Sequence, residues 1–193
     1  MRDRIQVVML ALCCGWFISS SKALEAGQRA NANRYVNCDF GYSMEIPSGL
    51  TAKTPEYYNH GFVLHLPDRE SSIEIYNAYN MSESRKPEAV FDYVLNLRKD
   101  QRKNWRVINK RSIQVDGLDS AQATARYERD GAQWKSEILI AYRATQADGL
   151  GDIVYLIELT GPAARYDEAI PYFNETVKGF QLTKLPRGKC SNE

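Results

Sequence analysis

Few residues of this chain have types and spacings that could support chemistry. The two histidines, His60 and His65, are an odd number of residues apart, so a strand carrying both would turn them to opposite faces and away from a shared metal ion. No nucleophile elbow, phosphate-binding loop or dinucleotide-binding glycine motif occurs. Serine, histidine and aspartate are present, but their order does not define a catalytic triad. We therefore predict no catalytic residue, no metal site and no cofactor.

One cluster of tyrosine and asparagine side chains is a candidate binding surface. Its members lie in a predicted loop and near the end of the strand that follows, at Tyr57, Tyr58, Asn59, His60, Tyr76, Asn77, Tyr79 and Asn80. Tyrosine supplies rigid amphipathic contact area and asparagine supplies adaptable hydrogen bonds, a combination typical of protein interfaces. The competing interpretation is that these tyrosines rim an antiparallel sheet, because aromatic residues favour strands. We predict binding by Tyr57, Tyr58, His60, Tyr76 and Tyr79.

Residues 1–23 have the three-part pattern of a secretory signal peptide. Arg2 and Arg4 precede an apolar run over 5–18, and Ser21-Lys22-Ala23 ends in small residues. A retained membrane anchor is one alternative, but the run is short against the roughly 20 residues that span a bilayer. A lipoprotein signal is another, because cysteines occur at 13 and 14, although a bulky leucine precedes them. We predict cleavage before Leu24 and a periplasmic or secreted protein, with no membrane insertion afterwards.

Signal cleavage would leave a nearly neutral chain with two cysteines. The whole sequence has a formal net charge of +1, and the predicted peptide carries more basic than acidic residues. A neutral chain offers no electrostatic case for binding nucleic acid or an anionic membrane, both of which call for a basic patch. The two remaining cysteines, Cys38 and Cys190, flank the predicted domain, and two thiols in an exported domain are more often paired than free. We predict a disulfide between them.

The elements that would position these residues begin with alternating strands. Residues 24–37 lack apolar periodicity and are predicted to be a flexible segment, so the folded domain would extend over residues 38–193. Period-two alternation predicts strands over 40–46, 62–66 and 72–79, with a short edge at 50–53. A 3.6-residue period then predicts a helix between Ser84 and Asn104, with Pro87 in its first turn. Its predicted core-facing stripe includes Leu97 and is widened by Tyr93, whereas Arg98 and Arg102 are predicted to lie on a solvated face.

The second half of the chain predicts hairpins and a final helix. Strands are indicated over 105–115, 120–129, 134–145 and 153–160, and Asp130-Gly131 is the strongest hairpin signal. In the strand over 134–145, alternation predicts that Lys135, Glu137 and Arg143 face outward. The strand after Asp152 is apolar on both faces, which is typical of the interior of a sheet. Gly161-Pro162 is predicted to break it before an amphipathic helix that begins near Tyr166 and ends at Gly179. The predicted fold class is α+β: a largely antiparallel sheet covered by two helices in an α/β/α sandwich.

In the pattern of its predicted elements, the mature domain resembles the PsbP-like superfamily. The resemblance depends on the opening strand Phe40-Gly41-Tyr42-Ser43-Met44-Glu45-Ile46-Pro47, on Asp116-Gly117-Leu118, and on the ending pattern Tyr166, Phe173, Val177 and Gly179-Phe180. That superfamily comprises exported or lumenal α/β/α domains, a nuclear Ran-binding branch and bacterial lipoproteins of unknown role. It has no shared catalytic residues, so the resemblance implies a non-enzymatic binding domain.

The leading hypothesis is an exported single-domain protein that binds a protein partner or an envelope component. The alternatives are a hydrolase of unrecognised type and an immunity or inhibitor protein against an envelope-acting toxin. An enzyme would show a concave site where titratable side chains converge, whereas a binding module would show a shallow aromatic surface.

Overall fold

The structure, a computed structural model, describes residues 34–53, 60–145 and 151–184. Two α-helices, α1 (Pro87–Asp100) and α2 (Tyr166–Gly179), lie among strands within these ranges. The strands are β1 (Arg34–Asn37), β2 (Tyr42–Glu45), β3 (Thr51–Lys53), β4 (Gly61–His65), β5 (Ser72–Tyr79), β6 (Lys103–Val115), β7 (Leu118–Arg129), β8 (Ala132–Arg143), β9 (Ile153–Pro162) and β10 (Phe180–Leu182).

Seven of these strands form one antiparallel sheet in the order β3-β4-β5-β9-β8-β7-β6. Two-residue turns join β6 to β7 at Asp116-Gly117 and β7 to β8 at Asp130-Gly131. All four turn residues have positive φ, the backbone of a type I′ turn, for which Asp-Gly is a preferred pair. The hairpins predicted at these positions are therefore confirmed.

The strand β9 lies inside the sheet, between β5 and β8, as its two apolar faces predict. Tyr155 and Ile157 face a core that includes Phe173 of α2, whereas Val154 and Leu156 face a second core formed with α1. The helices thus cover opposite faces of the sheet. The predicted α+β sandwich is confirmed.

Each helix follows from its sequence pattern. Pro87 occupies the first turn of α1, where its missing N–H costs no intrahelical bond. Arg98 and Lys99 lie in the last turn, where their positive charges interact favourably with the helix dipole. Val90 and Phe91 are buried against Ala121 and Ala123 of β7, since small side chains allow close approach of the helix. The second helix, α2, ends at Gly179 as predicted.

A second, three-stranded sheet has the order β1-β2-β10 and adds two strands that the sequence did not predict. The segment predicted to be flexible contains the strand β1. This strand pairs with β2, and its side chains Tyr35 and Asn37 are buried. The strand β10 follows α2 directly and pairs with β2. The predicted opening strand therefore belongs to this small sheet, beside α2.

Two further expectations are wrong. The strand β9 does not break at Gly161-Pro162 but includes both residues. Because β5 begins at Ser72, opposite Thr160, Pro162 pairs with β8 alone and its missing N–H costs no bond to β5. Glu137 of β8, predicted to face solvent, is buried.

No helix within the described ranges is both long enough and apolar enough to cross a membrane.

Candidate functional site

A groove of about 290 Å³ separates α1 from β5 on one face of the large sheet. It forms because α1 packs mainly against β6, β7 and β8, so the same face of β5 and β9 is left partly open. Val154 and Leu156 of β9 provide an apolar floor. One wall carries Tyr76, Tyr79 and Met81, and the other carries Tyr93 and Leu97 of α1. We call this the α1–β5 groove.

Large apolar side chains line the groove without being buried. The exposed fractions are 41% for Tyr76, 42% for Leu97 and 76% for Met81. An isolated exposed apolar residue is ordinary, but a contiguous set around a concave surface is typical of a binding site. The groove can therefore accept an apolar group between two tyrosine-bearing walls.

The structure brings together three of the five residues predicted to bind. Tyr76 and Tyr79 line the groove, and the ring of His60 stacks on Tyr76 with centroids 5.6 Å apart. The Nδ1 atom of His60 lies 2.7 Å from the carbonyl oxygen of Asn77, which fixes the imidazole at the sheet edge. Tyr57 and Tyr58 lie outside the described residues.

An aromatic contact joins this edge to the opposite core. The ring of Phe40 lies 5.4 Å from His60 and 5.3 Å from Tyr79, centroid to centroid. Phe40 is itself buried in the core beneath α2. The tyrosine wall of the groove is thus supported by Phe40, in the turn between β1 and β2, so its ring positions depend on the packed core.

The sequence pattern included Asn80 but missed Met81 in the loop after β5 and the groove residues of α1. Leu97 was predicted to face the core, and Tyr93 to widen that stripe, whereas both side chains are exposed. The available signal was the width of the stripe. With Phe91 and Leu95 included, the apolar side chains from Val90 to Leu97 span roughly 200° of the helix circumference, about twice the width of an ordinary core-facing stripe.

A buried ion cluster closes one end of the groove. Glu158 of β9 is fully buried, and its carboxylate oxygens lie 2.9 Å from Nε of Arg98 and 2.5 Å from Nη1 of Arg102. Arg98 also lies 3.5 Å from the carboxylate of Glu74. Arg98 and Arg102 were predicted to form part of a solvated helix face. The structure instead shows that they compensate a carboxylate inside the sheet.

Aromatic rings hold the second arginine of this cluster. The guanidinium of Arg102 lies 4.6 Å from the ring centroid of Tyr127 and 5.2 Å from that of Trp105, and it donates to Ser136 at 2.9 Å. Burial raises the pKa of the Tyr127 phenol. These contacts fix Arg102, so the charged end of the groove is a rigid structural feature.

Among the described residues, two charged side chains line the groove. Its charged lining residues are Glu74 and Arg98, which are paired with each other. Within residues 34–53, 60–145 and 151–184, no group of three or more His, Cys, Asp or Glu residues is placed to hold a metal ion. The groove offers apolar surface and tyrosine hydroxyls.

Comparison by sequence finds no matching family model and no matching curated protein. Comparison of folds finds solved structures that match along most of the chain. LpqN from Mycobacterium tuberculosis, described as involved in cell envelope biogenesis, has a TM-score of 0.59 and 11% identity over 74% of this chain and 83% of its own. The cyanobacterial PsbP (CyanoP) from Synechocystis sp. PCC 6803 has a TM-score of 0.56 and 15% identity over 81% of this chain and 96% of its own.

The Ran-binding protein Mog1p from Saccharomyces cerevisiae is also similar, with a TM-score of 0.51 and 15% identity over 74% of this chain and 90% of its own. At these identities the similarity establishes the fold alone. The resemblance predicted from the opening strand, the Asp116-Gly117 turn and the closing helix is confirmed at that level. With its antiparallel sheet between two helices, this chain has the PsbP/Mog1-like fold.

Proposed function

We propose that this protein is an exported, non-enzymatic domain that binds a protein partner or an envelope component through the α1–β5 groove. The observation that carries the proposal is the contiguous exposed apolar lining of that groove, at Tyr76, Met81, Tyr93 and Leu97. Tyrosine and methionine are enriched at protein interfaces because they combine apolar area with adaptable contacts.

The shape and charge of the groove favour binding over hydrolysis. A hydrolase needs a nucleophile or general base that can reach substrate, whereas the groove's charged residues, Glu74 and Arg98, pair with each other. The groove is lined by apolar and aromatic side chains, the character expected of a binding module.

The size of the groove indicates what it binds. A volume of about 290 Å³ is at the lower limit of small-molecule sites, and it suits one or two large side chains. We therefore favour a protein segment that inserts an apolar anchor residue, with polar flanks meeting the tyrosine hydroxyls. Two proteins of the same fold support this class: Mog1p is described as Ran-binding, and LpqN as involved in cell envelope biogenesis.

The groove can be tested with a peptide library displayed on phage and selected against the purified protein. We expect enriched peptides to share an apolar anchor, and Leu97→Glu to weaken their binding at least about tenfold, because a charge would enter the apolar wall. Asn96→Glu is the matched control, since it adds the same charge at the neighbouring exposed position outside the groove. Peptides that bind both variants equally would overturn the proposal.

Export is proposed from the signal-like residues 1–23. N-terminal sequencing of the protein recovered from outside the cytoplasm should begin near Leu24. A chain that begins at Met1, or a lipid on Cys13 or Cys14, would contradict this part of the proposal.

A further inference from the structure

Three basic residues lie in one row across three neighbouring strands, on the opposite face of the sheet from the α1–β5 groove. Arg106 of β6 is directly opposite Arg126 of β7, and Arg126 is directly opposite Lys135 of β8. Residues directly opposite in an antiparallel pair share a face. The Nζ atom of Lys135 lies 4.6 Å from the ring centroid of Tyr166 in α2, which identifies that face as the α2 side. We call these three residues the basic row.

In the part of the chain that the structure describes, the basic row has no acidic partner. None of its three members forms an ion pair or a side-chain hydrogen bond with a described residue. One row away, the same strands pair opposite charges, since Lys103 and Glu128 are directly opposite and 2.6 Å apart. Like charges directly opposite each other destabilise a sheet. A native sheet that keeps such a row breaks a local rule, and such exceptions concentrate at functional positions.

The nearest buried acid on this face is already satisfied by neutral donors. Glu137 accepts hydrogen bonds from Gln122 at 2.6 Å, from Thr124 at 2.8 Å and from the hydroxyl of Tyr166 at 2.5 Å. Its carboxylate therefore orients Tyr166, and the Tyr166 ring in turn supports Lys135. The Tyr166 ring thus packs against Lys135, and no ion pair with a described residue neutralises the Lys135 charge.

The spacing of the row suits a multivalent anion. Opposite Cα atoms in an antiparallel sheet are about 4.5 to 5.5 Å apart, so three cationic side chains stand within roughly 10 Å. A carboxylate would occupy one arginine, whereas a phosphoryl group has three peripheral oxygens and up to two negative charges. We propose that Arg106, Arg126 and Lys135 form a binding site for a phosphoryl group. Its source is a phospholipid headgroup or a soluble phosphate ester.

Nuclear magnetic resonance of the purified protein tests the site, with inorganic phosphate as the probe at constant ionic strength. We expect saturable shifts at the backbone amides of the basic row, and Arg126→Gln should weaken binding about tenfold or more. Arg129→Gln is the matched control, because it removes the same charge from the same strand on its other face, and it should leave binding unchanged. Arg126→Gln should also slightly raise the melting temperature by relieving repulsion, so lost binding cannot be assigned to unfolding.

Sedimentation with vesicles identifies the source. Binding to equal mixtures of phosphatidylcholine and phosphatidylglycerol but not to phosphatidylcholine alone, lost in Arg126→Gln and kept in Arg129→Gln, would assign the site to a lipid headgroup. A phosphate response without vesicle binding would assign it to a soluble phosphate ester. The proposal is overturned if phosphate causes no saturable shifts and the vesicle compositions bind equally, or if Arg129→Gln weakens binding as much as Arg126→Gln.

Discussion

Two buried carboxylates in adjacent strands are stabilised in different ways. Glu158 is compensated by the charges of Arg98 and Arg102, whereas Glu137 is held by hydrogen bonds from neutral side chains. A buried charge is tolerated only when its lost hydration is replaced, and both arrangements do so. The consequence differs, because removing Glu158 would leave two mostly buried cations.

Replacing Glu158 with Gln should therefore destabilise the protein by about 3 kcal/mol, since removing one partner of a buried ion pair leaves the other uncompensated. Urea unfolding would measure this change. Glu74→Gln is the control, because Glu74 is substantially exposed and its pairing with Arg98 should contribute less than about 1 kcal/mol. Equal losses in the two variants would contradict the role given to Glu158.

Tyr142 and Asp152 predict a specific dependence of stability on pH. Burial, together with donation to Asp152 at 2.6 Å and the charge of that carboxylate, raises the pKa of Tyr142 to about 12. The hydrogen bond from Tyr142 lowers the pKa of Asp152. Because the phenol's folded pKa is raised, its contribution is complete below pH 10.0 and is lost as the pH rises through about 12. The carboxyl's contribution is lost in acid, as the pH falls through its lowered pKa.

Tyr142→Phe should cost about 2 kcal/mol near neutral pH, since it removes a hydrogen bond to a charged group. It should also flatten the decline of stability at alkaline pH. Denaturation measured across the pH range would show both effects. An unchanged alkaline slope in the variant would contradict this assignment.

At the scale of the element, the start of β4 depends on a glycine. Gly61 has φ of +146°, and a Cβ atom there would lie 1.9 Å from the backbone oxygen of Ile75 in β5. Gly61→Ala should therefore destabilise the protein by about 3 kcal/mol or more, because the two strands must separate. Gly131 also has positive φ, but a Cβ atom there would meet no other atom within 4 Å. Gly131→Ala should therefore cost only about 1 kcal/mol. Similar unfolding midpoints for the two variants would contradict the close approach.

The elements that the sequence predicts best are those specified by local chemistry. Asp130-Gly131 specifies its hairpin, and the two apolar faces of β9 place it inside the sheet. By contrast, β1 and β10 are only four and three residues long and pair with β2, so no local pattern shows them. Glu137 was misplaced because alternation cannot show that donors from β7 and α2 meet its carboxylate. The groove depends on where α1 lies on the sheet, a tertiary property that periodicity does not encode.

At the scale of the whole molecule, the small sheet brings the two ends of the domain together. The backbone N–H of Thr183, just after β10, donates to the carbonyl of Gly41 at 2.9 Å. Arg143 reinforces this junction by donating to the carbonyls of both Gly41 and Thr183. The chain that follows β10 therefore starts close to Cys38. The predicted partner, Cys190, lies outside the described residues, so the disulfide remains a prediction.

We expect a Cys38–Cys190 bond in the exported protein, closing a loop of about 150 residues and contributing roughly 4 to 5 kcal/mol, or less if the tail before Cys190 is flexible. Peptide mapping without reduction should recover the linked pair. Cys190→Ser should lower the free energy of unfolding under oxidising conditions and have little effect once the wild type is reduced. Two free thiols in the denatured, unreduced protein would contradict the bond.

The whole molecule presents two separate surfaces on opposite faces of one sheet, the apolar α1–β5 groove and the basic row. The groove carries the proposed function, and the basic row would add a contact with an anionic phosphoryl group. Their separation by the sheet means that each can be altered without changing the other.

Binding through the α1–β5 groove can be tested in cells that export the protein by placing a photo-reactive residue, p-benzoylphenylalanine, at Leu97. We expect a discrete crosslinked partner from Leu97, joined through an apolar segment identified by mass spectrometry, and no such product from Asn96 on the neighbouring helix surface. Leu97 lines the groove and Asn96 does not, so the pair separates groove contact from chance collision. No crosslinked partner from Leu97, or the same products from both positions, would contradict the claim that this groove is the binding site.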